Sequence, residues 1–264
     1  MDHFLIVAWQ AARMAGDLIR DNWQRVHDVE YKSAIDLVTA TDRASEERIV
    51  AHLAKTYPGH SILAEEATAI VAPGSVYRWI VDPLDGTTNF AHSFPHIAIS
   101  IALEREKEII LGLVYDPLRD EGFTALRGEG ALLNDKPIRV SKAGEIDKAL
   151  LATGFPYDHR EDPDYYLKYF RSMMRRAQGI RRAGSAALDL CYVAAGRLDG
   201  FWELKLKPWD IAAGALIVAE AGGIVTNFSG GKFSIDGDQT LASNGLIHDE
   251  MIKALEEAEE SDKD

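Results

Sequence analysis

The 264-residue sequence predicts a mixed fold in which an α+β part precedes an α/β part. Two patterns predict it. Between residues 96 and 140, short β-prone runs separated by charged or Pro/Gly turns are typical of an antiparallel meander. Beyond residue 141, strand and helix patterns alternate, which indicates helices packed on a sheet. Because no low-complexity linker separates them, we expect the parts 1–140 and 141–264 to share an extended interface.

The first part opens with helices. Apolar side chains at helical spacing over residues 2–24 predict an amphipathic helix that packs on the surface. Thr41 or Asp42 is expected to cap a second helix, which ends at the stop signal Pro58-Gly59. The strands expected in this part lie at 61–64, 79–82, 97–103, 109–115 and 122–126, with a loop at 67–76.

The second part alternates between strands and helices. Its expected strands lie at 150–153, 179–182, 200–203, 224–226 and 241–243. Its expected helices cover 163–176, 184–196 and 208–221, and a last helix starts at about 248.

The composition is that of a globular protein and excludes several classes. The sequence is 47% apolar and 27% charged, which is typical of a packed core rather than of disorder. Its formal net charge of −13 argues against a nucleic-acid groove, since phosphate backbones would be repelled. Part of that charge lies in residues 256–264, where six acidic residues and one lysine indicate a solvated helix end.

The single cysteine, the N-terminal residues and the absence of a long apolar stretch predict that the protein is cytoplasmic. The single cysteine, Cys191, allows no disulfide within the chain and is expected to be a buried apolar side chain. Asp2 stands where a signal peptide would carry a basic residue, and the apolar run near the N-terminus is short. No stretch reaches the roughly 20 apolar residues that span a membrane. We therefore expect a cytoplasmic protein without membrane contact.

Residues 79–90 carry the strongest functional signal. A buried strand is expected to end at Asp82, and Gly86 lies in a turn before a helix that begins near Asp85. Such a turn can direct carboxylates and the Leu84 carbonyl at one point. Oxygen ligands suit hard divalent cations, and N–H groups at a helix start suit phosphate. The segment is therefore a candidate for binding both a metal ion and a phosphate.

Acidic residues at the expected ends of other elements extend this signal. The set consists of Asp42, Glu65, Asp82, Asp85 and Asp210. Singly, each has a structural explanation, such as a helix cap for Asp42 and Asp85 or a first-turn position for Asp210. Sharing one cleft, they would raise one another's pKa unless cations such as Mg²⁺ neutralised them. Two such ions can bind a phosphoryl oxygen and lower the pKa of a water. Thr87 could then orient that water, with Asp42 as the proton acceptor.

The motifs around these acids resemble those of the inositol monophosphatase family. The matching motifs are Glu65-Glu66, DPLDGTTN from Asp82 and WDIAAG from Trp209, with residues 36–42, 184–189 and 219–223 in the same order. Members of this family are Mg²⁺-dependent, lithium-sensitive phosphomonoesterases. The resemblance implies a layered α/β/α/β/α sandwich of the inositol monophosphatase and fructose-1,6-bisphosphatase type.

The resemblance also implies a role for each matching residue. The metal ligands would be Glu65, Asp82, the Leu84 carbonyl, Asp85 and Asp210, which would hold two or three Mg²⁺ ions. Mn²⁺ would be a substitute and Li⁺ an inhibitor. Catalysis would use Asp42 and Thr87 to activate water, with Glu65 supporting the third, weaker ion. The substrate contacts would be Leu84, Asp85, Gly86, Thr87, Gly184, Ser185, Ala186, Glu203 and Asp210.

Several alternatives stay open. The default substrate is myo-inositol 1-phosphate, but fructose 1,6-bisphosphate, histidinol phosphate or another sugar phosphate would suit the same machinery. A second phosphate would need extra cations, which Arg181, Arg182 or Lys205 could supply, and Arg181 is our candidate for a substrate contact. A different class of role is binding to the transcription machinery, as in some bacterial relatives. A homodimer is expected from the family alone.

Overall fold

The computed structural model describes residues 2–25, 29–31, 37–66 and 69–260. Residue 36, at the start of the motif over 36–42, and residues 261–264, in the acidic C-terminal run, lie outside the described residues. Residues 67–68 of the expected loop at 67–76 also lie outside them. Among the described residues, no helix combines the length and the apolar content needed to cross a membrane.

Two long helices and a large sheet form the first part. Its helices are α1 (Asp2–Asn22), α2 (Ala40–Thr56) and α3 (Thr87–Ala91). An antiparallel pair is formed by β1 (Val29–Tyr31) and β2 (Leu37–Thr39). The large sheet contains β3 (Ser61–Ala64), β4 (Ala69–Ile70), β5 (Tyr77–Asp85), β6 (Ala98–Arg105), β7 (Glu108–Asp116), β8 (Glu121–Leu126), β9 (Gly130–Leu133) and β10 (Lys136–Pro137). The strand order is β10-β9-β8-β7-β6-β5-β3-β4. Strands β6, β7 and β8 form the predicted antiparallel meander, which β9 and β10 extend.

A five-stranded sheet and four helices form the second part. The strands are β11 (Leu150–Thr153), β12 (Gly179–Arg181), β13 (Gly200–Leu204), β14 (Ile224–Thr226) and β15 (Gln239–Ser243), in the order β12-β11-β13-β15-β14. The helices are α4 (Pro163–Met174), α5 (Ala186–Ala194), α6 (Pro208–Glu220) and α7 (His248–Glu260), and a short 3-10 helix covers Ile146–Lys148.

Helices and sheets stack in alternating layers. Helices α1 and α2 cover one face of the large sheet, around the fully buried Trp79. Helices α5 and α6 lie between the two sheets, with Leu190 and Ile217 in the shared core. Helices α4 and α7 cover the outer face of the five-stranded sheet, around Tyr169 and Met251. The predicted α/β/α/β/α sandwich is confirmed.

Helix α6 joins the two parts because it is apolar on all sides and packs on both sheets. Gly112 on β7 permits the close approach, since a Cβ there would lie 2.6 Å from the Ala213 carbonyl oxygen. Cys191 of α5 is buried in the same layer, as predicted. The boundary expected near residue 140 stays a prediction.

Some expected boundaries differ from the structure. The N-cap of α2 is Thr39 rather than Thr41 or Asp42, and Asp42 completes a capping box three residues later. Strand β5 does not end at Asp82 but continues to Asp85, with an irregularity in its pairing between these two residues. Pro83 is tolerated there because a bulged register needs no ladder N–H at that position. The expected loop at 67–76 contains the short strand β4.

Candidate active site

A cavity of about 520 Å³ opens where the end of β5 and the start of α3 meet the loops of the second part. Its lining contains seven carboxylates, which are Glu65, Asp82, Asp85, Asp158, Asp189, Glu203 and Asp210. It contains three cationic side chains, which are Arg182, Lys205 and Lys207. The excess of acidic groups in a partly enclosed space favours the entry of cations.

Four of these carboxylates interact electrostatically. Burial raises the pKa of Asp82 well above its ordinary value, and the neighbouring Glu65, Asp85 and Asp210 raise it further. Burial likewise raises the pKa of Asp210, with further increases from Asp85 and Glu65. The structure thus brings together acids that lie far apart in the sequence.

The donor set fits Mg²⁺ in its chemistry. Hard divalent cations prefer oxygen ligands, and a cation among these acids would relieve the repulsion that raises their pKa values. Within the described part of the chain, no group of three or more His, Cys, Asp or Glu side chains forms a ready-made metal site. The ligand roles of Glu65, Asp82, Leu84, Asp85 and Asp210 therefore stay predictions.

The turn after β5 is fixed by local contacts. The Leu84 amide donates to Asp82 Oδ1 over 2.9 Å, and the Ser45 hydroxyl donates to the Pro83 carbonyl over 2.8 Å. Gly86 has φ of 96°, in the left-handed region, and an added Cβ would lie 2.9 Å from the His96 carbonyl oxygen. Only glycine suits this position.

Thr87, the first residue of α3, connects the cavity to Asp42. Its hydroxyl donates to Asp42 Oδ1 over 2.7 Å, and its Oγ1 lies 3.3 Å from the Leu84 carbonyl oxygen. Asp42 is fully buried and does not line the cavity, whereas Thr87 does. The second oxygen of Asp42 accepts from the Thr39 amide over 2.8 Å and from the Thr39 hydroxyl. Burial raises the pKa of Asp42, and the hydrogen bonds from Thr39 and Thr87 oppose that rise.

Asp85 links the two parts of the molecule and is not a helix cap. The N-cap of α3 is Gly86, which makes no side-chain capping bond. Instead, Asp85 Oδ2 accepts from the Ser185 hydroxyl over 2.6 Å and from the Ala187 amide over 2.8 Å. Burial raises the pKa of Asp85 to about 6, although these hydrogen bonds act in the opposite direction. The side chain is therefore held by the start of α5.

Asn89 makes a second connection between the parts. Its side-chain Nδ2 donates to the carbonyl of His96 over 2.7 Å and to that of Ala183 over 2.9 Å. His96 itself is buried, with Nε2 lying 3.4 Å from Asp189 Oδ1. The loop before α5 is thereby fixed against α3.

Asp210 is placed by the start of α6. Pro208 begins this helix, and Asp210 Oδ2 accepts from the Lys207 amide over 2.7 Å. The Ser100 hydroxyl on β6 donates to the Trp209 carbonyl over 3.0 Å, which fixes the helix start against the large sheet. Asp210 therefore faces the same cavity as the end of β5.

Glu203 at the end of β13 is a buried carboxylate in the cavity wall. Burial raises its pKa well above the ordinary value, and Arg182 opposes that rise. A Cβ added to Gly154 would lie 2.2 and 2.3 Å from the two Glu203 carboxylate oxygens, so glycine makes room for this side chain. The predicted contacts Gly184, Ser185 and Ala186 also line the cavity.

Arg181 is not placed where the substrate contact was expected. It is exposed, is not part of the cavity lining, and donates to the Ile180 carbonyl over 3.2 Å. Arg182 lines the cavity instead. Consecutive side chains at a strand point to opposite faces, so only one of this adjacent pair can face the site.

Residues 154–158 form a wall of the cavity that was not predicted from the sequence. This segment follows β11 and places Gly154 and Asp158 at the cavity. A Gly and a Pro directly after an expected strand, in Gly154-Phe155-Pro156, were the available signal, because such loops at strand ends often carry binding residues.

Comparisons with known proteins find relatives over nearly the whole chain. A model of the inositol monophosphatase family matches residues 1–260. Nus factor SuhB of Pseudomonas aeruginosa is 49% identical over 262 residues, covering 97% of this chain and 97% of that protein. Inositol monophosphatase 3 of Solanum lycopersicum is 45% identical over 262 residues, covering 97% of this chain and 98% of that protein. The solved structure of extragenic suppressor protein suhB from Bartonella henselae matches with a TM-score of 0.91 and 44% identity, covering 96% of this chain and 98% of that chain.

Proposed function

The chain belongs to the inositol monophosphatase family, and from that premise we propose that it is a Mg²⁺-dependent phosphatase of small polyol or sugar phosphate monoesters. The family is generally Mg²⁺-dependent. The observation that carries the proposal is a group of four acids at one cavity, in which Glu65, Asp85 and Asp210 raise the pKa of the buried Asp82, and Glu65 and Asp85 raise that of Asp210. Such a group is costly to ionise unless cations neutralise it. Myo-inositol 1-phosphate is the first substrate to test.

The metal ions would be held by four carboxylates and one carbonyl. These ligands are Glu65, Asp82, the Leu84 carbonyl, Asp85 and Asp210. When bound, Mg²⁺ supplies positive charge for the phosphoryl oxygens and lowers the pKa of a water. Ser185 and the Ala187 amide keep Asp85 oriented toward this site through the bonds to its second oxygen.

Thr87 and Asp42 would prepare the attacking water. The Thr87 hydroxyl donates to Asp42, so its lone pairs are left to accept a hydrogen bond from the water. Asp42, buried behind Thr87, would receive the proton through that hydroxyl as the water attacks phosphorus in line. The Gly86 and Thr87 amides would bind the phosphate beside this position.

Glu203 would recognise the alcohol part of the substrate. A carboxylate accepts hydrogen bonds from vicinal hydroxyls, and the nearby Arg182 favours the ionised form that does so. Gly184, Ser185 and Ala186 would line the same pocket.

Release of inorganic phosphate from myo-inositol 1-phosphate tests the proposal. We expect release with Mg²⁺, slower or comparable release with Mn²⁺, and inhibition when Li⁺ is added. A panel with fructose 1,6-bisphosphate, histidinol phosphate and other sugar phosphates ranks the substrates by kcat/KM. No phosphate release from any ester at saturating Mg²⁺ would refute the enzymatic role.

A second role is favoured by the relative named Nus factor, which is 49% identical to this chain. This second proposal is that the chain also binds a component of the transcription machinery, as a homodimer in the cytoplasm. Pull-down of purified transcription components by Asp85→Asn separates the two roles, because binding should survive the loss of turnover. Absence of binding by both the wild type and this variant would exclude the second role.

A further inference from the structure

Lys205 has an unusual backbone conformation at the rim of the cavity. It lies between β13 and α6, lines the cavity and has φ of 60°, in the left-handed region. Non-glycine residues are uncommon there, because the Cβ comes close to the following carbonyl oxygen. Its amide donates to the Asp238 carbonyl over 2.7 Å, which helps to hold this conformation.

The Lys205 side chain ends in a compact polar cluster. Its Nζ donates to Asp158 Oδ2 over 2.5 Å and to the Tyr166 hydroxyl over 2.8 Å. The Tyr166 hydroxyl in turn donates to Asp158 Oδ1 over 2.6 Å. The hydrogen bond to Asp158 raises the pKa of Lys205, and the same bond lowers the pKa of Asp158. Both groups are therefore ionised, and their charges cancel.

This pair lies near the expected position of the substrate's alcohol part. Lys205 lies two residues after Glu203 in the sequence, and Asp158 lies in the same loop as Gly154. Gly154 in turn packs against the Glu203 carboxylate. Both members of the pair line the cavity. A second phosphate on the alcohol part would bring about −1.5 to −2 charges into a cavity already rich in carboxylates. Lys205 is a cation suited to receive it, but Asp158 neutralises that cation.

We propose that Asp158 is a specificity-determining residue, which neutralises Lys205 and so favours monoesters with an uncharged alcohol part over substrates with a second phosphate. This inference rests on the proposed phosphatase function. It predicts a definite order among charge variants, because the net charge of the pair can be set to +1, 0 or −1.

The experiment measures kcat/KM for fructose 1,6-bisphosphate and for myo-inositol 1-phosphate, and compares their ratio between variants. Asp158→Asn leaves a net positive charge, so the ratio rises about three- to tenfold. Lys205→Met leaves the Asp158 anion, so the ratio falls by a similar factor. The double variant Asp158→Asn/Lys205→Met carries no charge and returns the ratio to about that of the wild type.

Glu145→Gln is the matched control, because it removes one carboxylate from the exposed ion pair with Lys148, away from the cavity lining. It leaves the ratio unchanged. Thermal unfolding of each variant shows that it is folded, and the opposite shifts in the two single variants keep the test decisive should one of them fail to fold.

Three outcomes decide the matter. If the wild type hydrolyses neither these two esters nor any other sugar phosphate of the panel, the proposed function is refuted. If it hydrolyses myo-inositol 1-phosphate but the ratio is the same in both single variants, the role of Asp158 is refuted. If the ratio rises equally in Asp158→Asn and in the double variant, Lys205 is not the group that Asp158 neutralises, and the inference is overturned.

Discussion

The hydroxyl of Thr87 on α3 donates a hydrogen bond of 2.7 Å to Asp42 Oδ1 on α2, although 45 residues separate the two in the sequence. Asp42 is fully buried, and Thr87 lines the cavity. Asp42 therefore contacts the cavity through the Thr87 hydroxyl, and the proposed proton path from the attacking water passes through both residues.

Removal of the Thr87 hydroxyl is the first prediction. Thr87→Val lowers kcat by about 100- to 10,000-fold, because the water loses both its orienting partner and its route to Asp42. Asp42→Asn gives a comparable loss, and the double variant is little worse than either, since both act on one proton path. Steady-state phosphate release measures all three.

Thr39→Ala is the matched control for this pair. It removes the N-cap of α2 and costs about 1 kcal/mol of unfolding free energy, but it leaves the bond between Thr87 and Asp42 in place. Its kcat therefore changes far less than that of Thr87→Val. Equal losses of turnover in Thr39→Ala and Thr87→Val would contradict a proton path through Thr87.

Asp85→Asn tests the metal assignment. At saturating Mg²⁺ we expect kcat to fall about 100-fold or more, because a neutral amide replaces a charged ligand. The fold survives, since the amide oxygen can still accept from Ser185 and Ala187. Ser185→Ala removes only one of those donors and gives a much smaller loss. Turnover by Asp85→Asn near the wild-type rate would refute Asp85 as a ligand.

The raised pKa of Asp85 predicts how metal-free stability depends on pH. Burial raises that pKa from 3.8 to about 6, so the unfolded chain ionises more readily than the folded one. A raised carboxyl pKa stabilises the folded state at low pH, and this contribution is lost as pH rises through 3.8 to about 6. Two pKa units correspond to up to about 3 kcal/mol.

Thermal unfolding in the presence of a chelator measures this effect. Relative to Asp85→Asn, the Tm of the wild type falls as pH rises across that window. Mg²⁺ restores the loss, because it binds the ionised carboxylates of the folded state. A Tm difference between wild type and variant that is constant with pH would show that Asp85 does not titrate in this range.

Gly154→Ala tests the Glu203 pocket. The new Cβ would lie 2.2 Å from Glu203 Oε1, so the carboxylate must move and kcat/KM falls about 10- to 100-fold. Gly144→Ala is the matched control, because nothing lies within 4 Å of its added Cβ. Equal kcat/KM values for these two variants would show that the Glu203 position does not matter for the substrate.

The order of the main helices and strands could be predicted because apolar residues recur along the sequence at clear helical or strand spacing. Strand β3, the meander and every strand and α-helix after residue 141 lie within a few residues of the expected positions, whereas the short 3-10 helix Ile146–Lys148 was not expected. Strands β1, β2, β4, β9 and β10 were not expected. They are two to four residues long and lie at or next to a sheet edge or in the separate β1–β2 pair, so their pairing rather than a local apolar run defines them. The extent of β5 was missed because Pro83 indicates a turn, whereas the pairing with β6 accommodates it at an irregularity.

The site could be predicted only in part. Six of the predicted site residues line the cavity: Glu65, Asp82, Asp85, Thr87, Glu203 and Asp210. They could be predicted because the family motifs are long and because these residues lie at the ends of expected elements. Asp42 was expected to act on water, yet its burial behind Thr87 depends on a tertiary contact. Arg181 and Arg182 could not be told apart, since the twist of a strand end decides which one faces inward. Asp158 and Lys205 form a pair across 47 residues, which no local pattern reveals.

The bond from Ser185 to Asp85 spans 100 residues, and that from Asn89 to the Ala183 carbonyl spans 94. Contacts between such distant segments are slow to form, because a long stretch of chain must first lose its freedom. A renaturing chain is thus expected to recover its far-ultraviolet ellipticity before its turnover. Partly folded species would then carry intact helices and strands but no turnover, and the proposed hydrolysis would be confined to fully assembled molecules.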